Sequence, residues 1–162
     1  MKHTLYLIAL LVVSLQFISC KQEVTEKIKT PKITFTKEGT VQLYKSKVDT
    51  LITSFDVELA ETDYETQTGL MYRSKMEQNH GMFFMFKTMN MHSFYMKNTE
   101  IPLDIIFIND AFKIVSFQEN AQAFNETSLP SKVPAQYVLE INAGLAEQYL
   151  LEVGDSIVLL KD

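Results

Sequence analysis

The stretch GMFFMFKTMNMHSFYMKNTEIPLD, Gly81 to Asp104, is a Met- and aromatic-rich apolar run that breaks abruptly at Lys97-Asn98-Thr99 and then at Pro102-Leu103-Asp104. Its segments Gly81–Phe86 and Ser93–Lys97 are short and rich in aromatic residues, which predicts strands. Downstream the pattern continues with Ile105–Ile108 and Phe112–Phe117 around a tight turn at Asn109-Asp110, then Tyr137–Ile141. Asn142-Ala143-Gly144 opens a short helix, Leu145 to Leu151, and Val153-Gly154-Asp155 turns into a last strand, Ser156–Leu160. Upstream, Ile33–Thr36 and Val41–Tyr44 alternate on either side of Lys37-Glu38-Gly39-Thr40, a hairpin signal. Phe55–Ala60 alternates strictly, as a half-buried strand does. Thr62-Asp63-Tyr64-Glu65 has the spacing of a capping box and starts a short helix through about Met71.

Short strands with tight connections and two short helices predict a mainly β domain on the α+β border, a single antiparallel barrel or sandwich over residues 32–162. No internal repeat is evident, and 46% hydrophobic residues suffice for one core. The Gly81–Asp104 run, with Gly69-Leu70-Met71-Tyr72-Arg73 upstream and Tyr137-Val138-Leu139-Glu140 downstream, resembles the domain of unknown function 192 family, a group of small, often exported proteins. The resemblance covers about residues 55–159. It implies a single domain and carries no established catalytic role.

The N-terminus reads Met1-Lys2-His3, then an apolar run from Leu5 to Val13, then Ser14 to Cys20. A basic start, an apolar stretch too short to span a bilayer and a small residue before the cut describe a signal peptide over 1–19. Cys20 is the only cysteine, and Ile18-Ser19-Cys20 resembles a bacterial lipobox with Phe17 where Leu is commoner. An exported, lipid-anchored envelope protein is therefore expected, with residues 20–31 as a tether. The alternative is a secreted protein with one free thiol.

The chain carries a formal charge of −5, unevenly spread. Residues 21–47 hold seven Lys against three Glu, while 48–162 hold seven Lys or Arg against 17 Asp or Glu. The acidic domain argues against a nucleic-acid partner. The basic leader suits either anionic headgroups beside a lipid anchor or a solvated spacer.

Nucleophilic chemistry has no obvious seat. There is no Gly-x-Ser-x-Gly elbow, P-loop or dinucleotide fingerprint, and acylation would consume the one thiol. No cofactor is implied. Two groups remain as candidates. Arg73, Lys97, Asn98, Thr99, Asp104 and Glu140, with Glu119, could converge as a mixed-charge pocket for a small polar or anionic ligand. The same residues equally suit an internal network, Arg73 pairing with Asp104 or Glu140, that fixes strand register. The second group, His80, Met89, Met91 and His92, has the soft donors that suit Cu(I), though Met beside Phe more often fills a core. The sequence thus reads as a non-enzymatic envelope lipoprotein that binds a small ligand or a protein partner. Metal handling, and an acid–base enzyme using Lys97, Asp104 and Glu140, are the alternatives.

Overall fold

Residues 33–162 are described by a computed structural model; the expected signal peptide over 1–19 and tether over 20–31, with Cys20, lie outside the described residues. In chain order the elements are β1 (Gly39–Lys45), β2 (Thr50–Ala60), α1 (Asp63–Thr68), β3 (His80–Asn90), β4 (Ser93–Phe94), β5 (Leu103–Ile108), β6 (Ile114–Ala121), β7 (Leu129–Pro130), β8 (Ala135–Asn142), α2 (Leu145–Gln148) and β9 (Ser156–Lys161). Seven strands form one sheet in the order β6-β5-β8-β3-β2-β1-β9, and β4 pairs with β7. The sheet curls until its two outer strands meet at one end. Lys113 bridges Ser156, and the Ile114 and Ile157 amides donate to Asp155 and Phe112 carbonyls at 2.9 and 3.0 Å. The mainly β, barrel-like expectation with two short helices holds.

One strand pair departs from an all-antiparallel plan: β2 and β3 run parallel, with Glu58 beside Met82 and Ala60 beside Phe84. A parallel return needs a crossover of a dozen or more residues. Residues 61–79 supply it, with α1 inside. The helix buries no residue, so its own ends must hold it. Thr62 accepts from the Glu65 amide while the Glu65 carboxylate accepts from Thr62, closing the expected capping box. It stops at Gly69, whose φ of +47° and ψ of −131° a side chain would resist.

The expected hairpin over Ile33–Tyr44 is not formed. Residues 33–38 carry no strand pairing, because both edges of β1 are already taken by β2 and β9. Phe35 stacks instead on the His80 ring, with centroids 3.7 Å apart. The expected strand Ser93–Lys97 is likewise reduced to Ser93–Phe94 before the chain turns, the Thr99 amide donating to the Met96 carbonyl.

Both faces of the central strands are buried, and β5 is buried at every position. Inside the curl lie Val41, Leu43, Phe55, Val57, Phe83, Ile106, Leu139 and Ile141, with Leu145 and Ala146 of α2. The other face carries Met82, Phe84, Ile105, Phe107 and Val138, covered by Leu70, Met96 and Ile101 from the connecting segments. Each such side chain taken from water contributes roughly 1.5–3 kcal/mol. This second layer, laid over the outer face by α1 and the chain around 91–101, contains the site.

Candidate functional site

Strand register decides which polar groups can meet. Across the outer face, Glu58 of β2 lies beside Met82 of β3, Met82 beside Glu140 of β8, and Glu140 beside Ile105 of β5. Glu58 and Glu140 thus share one cross-strand row, two strands or about 10 Å apart. Asp104 pairs with Ile141, one residue out of step, so its side chain belongs to the opposite face.

The sequence-nominated cluster is divided accordingly. Arg73 pairs with Glu58, neither of the partners expected for it, and both side chains are nearly buried. The other Glu58 oxygen accepts from the Thr36 amide at 3.1 Å. Asp104 accepts from the Asn120 and Ala146 amides, both at 2.9 Å. Its role is thereby structural: Gly144 at the start of α2 has no side chain to cap the helix, and Asp104 reaches across to do so. Asn98 sits in a left-handed turn with φ +55°, where Asn is tolerated, and its amide group donates to the Tyr72 hydroxyl. The Tyr72 amide returns a bond to the Asn98 carbonyl, so the pair clasps two loops. Lys97 is exposed. Glu119 lies with Asp104, Asn120, Glu147 and Glu152 around a separate open depression.

Only Thr99 and Glu140 of the six nominated residues come together, and they do so in a cleft of about 230 Å³. Thr66, Gln67, Thr68, Leu70 and Met71 form one side, at the end of α1 and just beyond it; Phe86 and residues from His92 to Met96 form the other. The walls are held by aromatic packing: Phe94 meets Phe84 and Phe107 edge to face, and Phe86 stacks on His92 at 3.8 Å. His92 Nε2 lies 3.0 Å from the Ala135 carbonyl, which fixes that nitrogen as the donor. Burial pulls the His92 pKa below its usual value, only partly offset by this bond. The Thr99 hydroxyl has only a long 3.4 Å contact with the Lys97 carbonyl.

Glu140 is the unusual member. It is 5% exposed, and burial alone, unrelieved by any charge or hydrogen bond among the described residues, pushes its carboxyl pKa up to about 8. At neutral pH it is therefore mostly a carboxylic acid, able both to donate and to accept. Among the described residues the cleft lining contains no Lys or Arg. A mixed-charge pocket for an anion is not what these residues build.

The second nominated group does not converge. His80 opens β3 and Met89 lies nine residues on, a separation of about 30 Å in a strand. Met89 and Met91 are 44% and 57% exposed, so they are not the core fillers their neighbours suggested; Met82 and Met96 are. Among the described residues no three His, Cys, Asp or Glu side chains gather as metal ligands.

Sequence reasoning missed Glu58, which strict alternation in Phe55–Ala60 placed on a solvated face. Arg73, which pairs with Glu58 rather than with Asp104 or Glu140, was the available signal for it. The aromatic walls Phe86 and Phe94 had no signal beyond their apolarity.

The comparisons agree with this architecture. A 1.22 Å crystal structure of a protein of unknown function from Novosphingobium aromaticivorans is 36% identical, covers 74% of this chain and 83% of its own, and superposes with a TM-score of 0.69. A 1.55 Å structure described as a putative transcription regulator, from Sinorhizobium meliloti, is 34% identical, covers 79% and 97%, and gives 0.72. No curated protein matches. The model of the domain of unknown function 192, described as an uncharacterized ACR, matches residues 44–159, and the chain belongs to that family.

Proposed function

We propose that the domain is a binding module on a lipid-anchored envelope protein, and that its ligand enters the cleft over Glu140. The observation that carries this reading is a carboxyl group that is 5% exposed, lines an open cleft and has no charged or hydrogen-bonding protein partner among the described residues. A carboxyl held largely out of water gains from a hydrogen-bonding or charged partner that replaces its lost hydration. A ligand entering the cleft can supply that partner, while Phe86, Phe94, Leu70 and Met96 bury its apolar body. The export signal and Cys20 support a position outside the cytoplasm, where small molecules are met directly. The regulator description of the Sinorhizobium protein is not carried over, since 17 acidic against seven basic residues in 48–162 disfavour nucleic acid.

Catalysis is the second reading. It is favoured by a carboxyl of raised pKa and an imidazole of lowered pKa lining one cleft, a pairing able to give and take a proton at neutral pH. An NMR screen of uncharged, cationic and anionic fragments tests the binding reading. Amide shifts clustered at Thr68, Phe94, Thr99 and Glu140 are expected. Shifts scattered over the surface, or none with any fragment, would contradict it. Chemical conversion of a bound fragment would turn the assignment to an enzyme.

A further inference from the structure

We infer that the ligand class of this cleft is a cationic amine, a primary ammonium group seated against the Glu140 carboxyl with a short apolar or aromatic body between Phe86, Phe94 and Met96. The inference rests on the binding reading above and narrows it.

Three observations lead there. The protein supplies a cation to one member of the outer-face row and withholds it from the other: Arg73 is bound to Glu58, and Glu140 has none. The neighbours of Glu140 in that row, Met82 and Ile105, are buried and apolar, so nothing beside it in the sheet competes for the carboxyl. Among the described residues an anion would meet a lining without Lys or Arg, whereas a cation would meet the aromatic side chains of Phe86, Phe94 and Tyr95.

The titratable groups facing the carboxyl across the cleft are His92 and Tyr95, from the segment after β3; β5 and β3 present none, and Asp104 is on the other face of the sheet. Seating the ammonium converts a neutral acid to a carboxylate. The Glu140 O–H bond breaks, its proton passes to the buffer, and the ligand keeps all three of its own N–H bonds. Binding of an ammonium near pH 7 therefore releases close to one proton. A neutral ligand bound to the acid form releases none, and an anionic one favours uptake.

The test is calorimetric titration of the full chain carrying Cys20→Ala with 2-phenylethylammonium, 2-phenylethanol and 3-phenylpropionate, in phosphate and in Tris. The ammonium is expected to bind with nearly one proton released at pH 7 and to tighten roughly tenfold between pH 7 and 9, as Glu140 ionises around 8. Glu140→Gln should weaken it at least tenfold. Thr68→Lys, which adds a cation at the mouth without touching the core, should weaken the ammonium and spare the alcohol. Tighter binding of the alcohol or the carboxylate at the same amides overturns the amine assignment and leaves the binding reading standing. Ammonium binding without proton release, or indifferent to both substitutions, overturns it too. If none of the three probes binds, the amine assignment falls, and the binding reading stands or falls with the wider fragment screen.

Discussion

At the scale of single residues, Glu140 and two glycines make the sharpest demands. Because the folded carboxyl holds its proton up to about 8 and the unfolded one only to about 4.5, the unfolded state binds fewer protons between those values. Stability referred to this group is then fully present below about 4.5 and falls as pH rises to 8, by a few kcal/mol at about 1.4 per pKa unit. His92 contributes the opposite sign, its lowered pKa costing stability as pH drops through and below the usual histidine range. Urea melts from pH 5 to 9 on wild type and Glu140→Gln isolate the first effect: wild type should lose stability relative to the variant across this window, and parallel curves would show a solvated carboxyl. Gly69 and Gly81 are required for different reasons. At Gly69 the φ of +47° is adverse to a side chain, and a Cβ would lie 3.1 Å from the Phe84 ring; at Gly81 a Cβ would lie 2.7 Å from the Glu140 carbonyl. Alanine at either should lower stability by about 1–3 kcal/mol in thermal melts. The sequence marked both glycines by their places at a helix end and a strand start. It could not separate strained φ from close strand approach, because that difference depends on β8.

At the scale of elements, the two nominally linked acidic and basic residues belong to separate devices. Arg73 secures the loop after α1 to β2 through Glu58, and Asp104 secures α2 and the chain at Asn120 to β5. Arg73→Met and Asp104→Asn should each cost about 1–3 kcal/mol and add within about half a kcal/mol, since they share no partner. Arg73→Met with Glu58→Gln should instead be strongly non-additive. A coupling between Arg73 and Asp104 above 1 kcal/mol in a double-mutant cycle would contradict the division. Most strands were legible from period-two alternation and turn chemistry, and α1 from its capping box. Two features were not. The parallel β2–β3 pairing depends on where a crossover lands, and the Ile33–Thr36 segment lost its pairing to β9, more than a hundred residues away. Alternation also misled at Glu58, because a polar residue in a strand looks solvated until a second layer covers that face.

At the scale of the whole molecule, a curled sheet carries an apolar core within and a second layer outside, and the cleft is the gap that this layer leaves over β8. An anchor at Cys20 would hold the cleft near a membrane. Cys20→Ala should move the protein from the membrane to the soluble fraction and abolish labelled-palmitate uptake; a variant that stays with membranes, beside a wild type that takes up no label, would remove that part of the account. Of the cleft, the sequence disclosed Glu140, an acid inside an apolar strand, and Thr99 in the polar break. Its walls come from segments distant in the chain and assembled only by the fold. The reading of the cleft rests on Glu140 lining it without a protein partner among the described residues, its carboxyl pKa raised by burial. The most direct test is the pH titration of its side-chain carboxyl carbon by NMR in the Cys20→Ala chain. A midpoint near 8 is predicted, falling when 2-phenylethylammonium is added; a midpoint near 4.5 without ligand would show a carboxyl already solvated or paired, and would contradict the account.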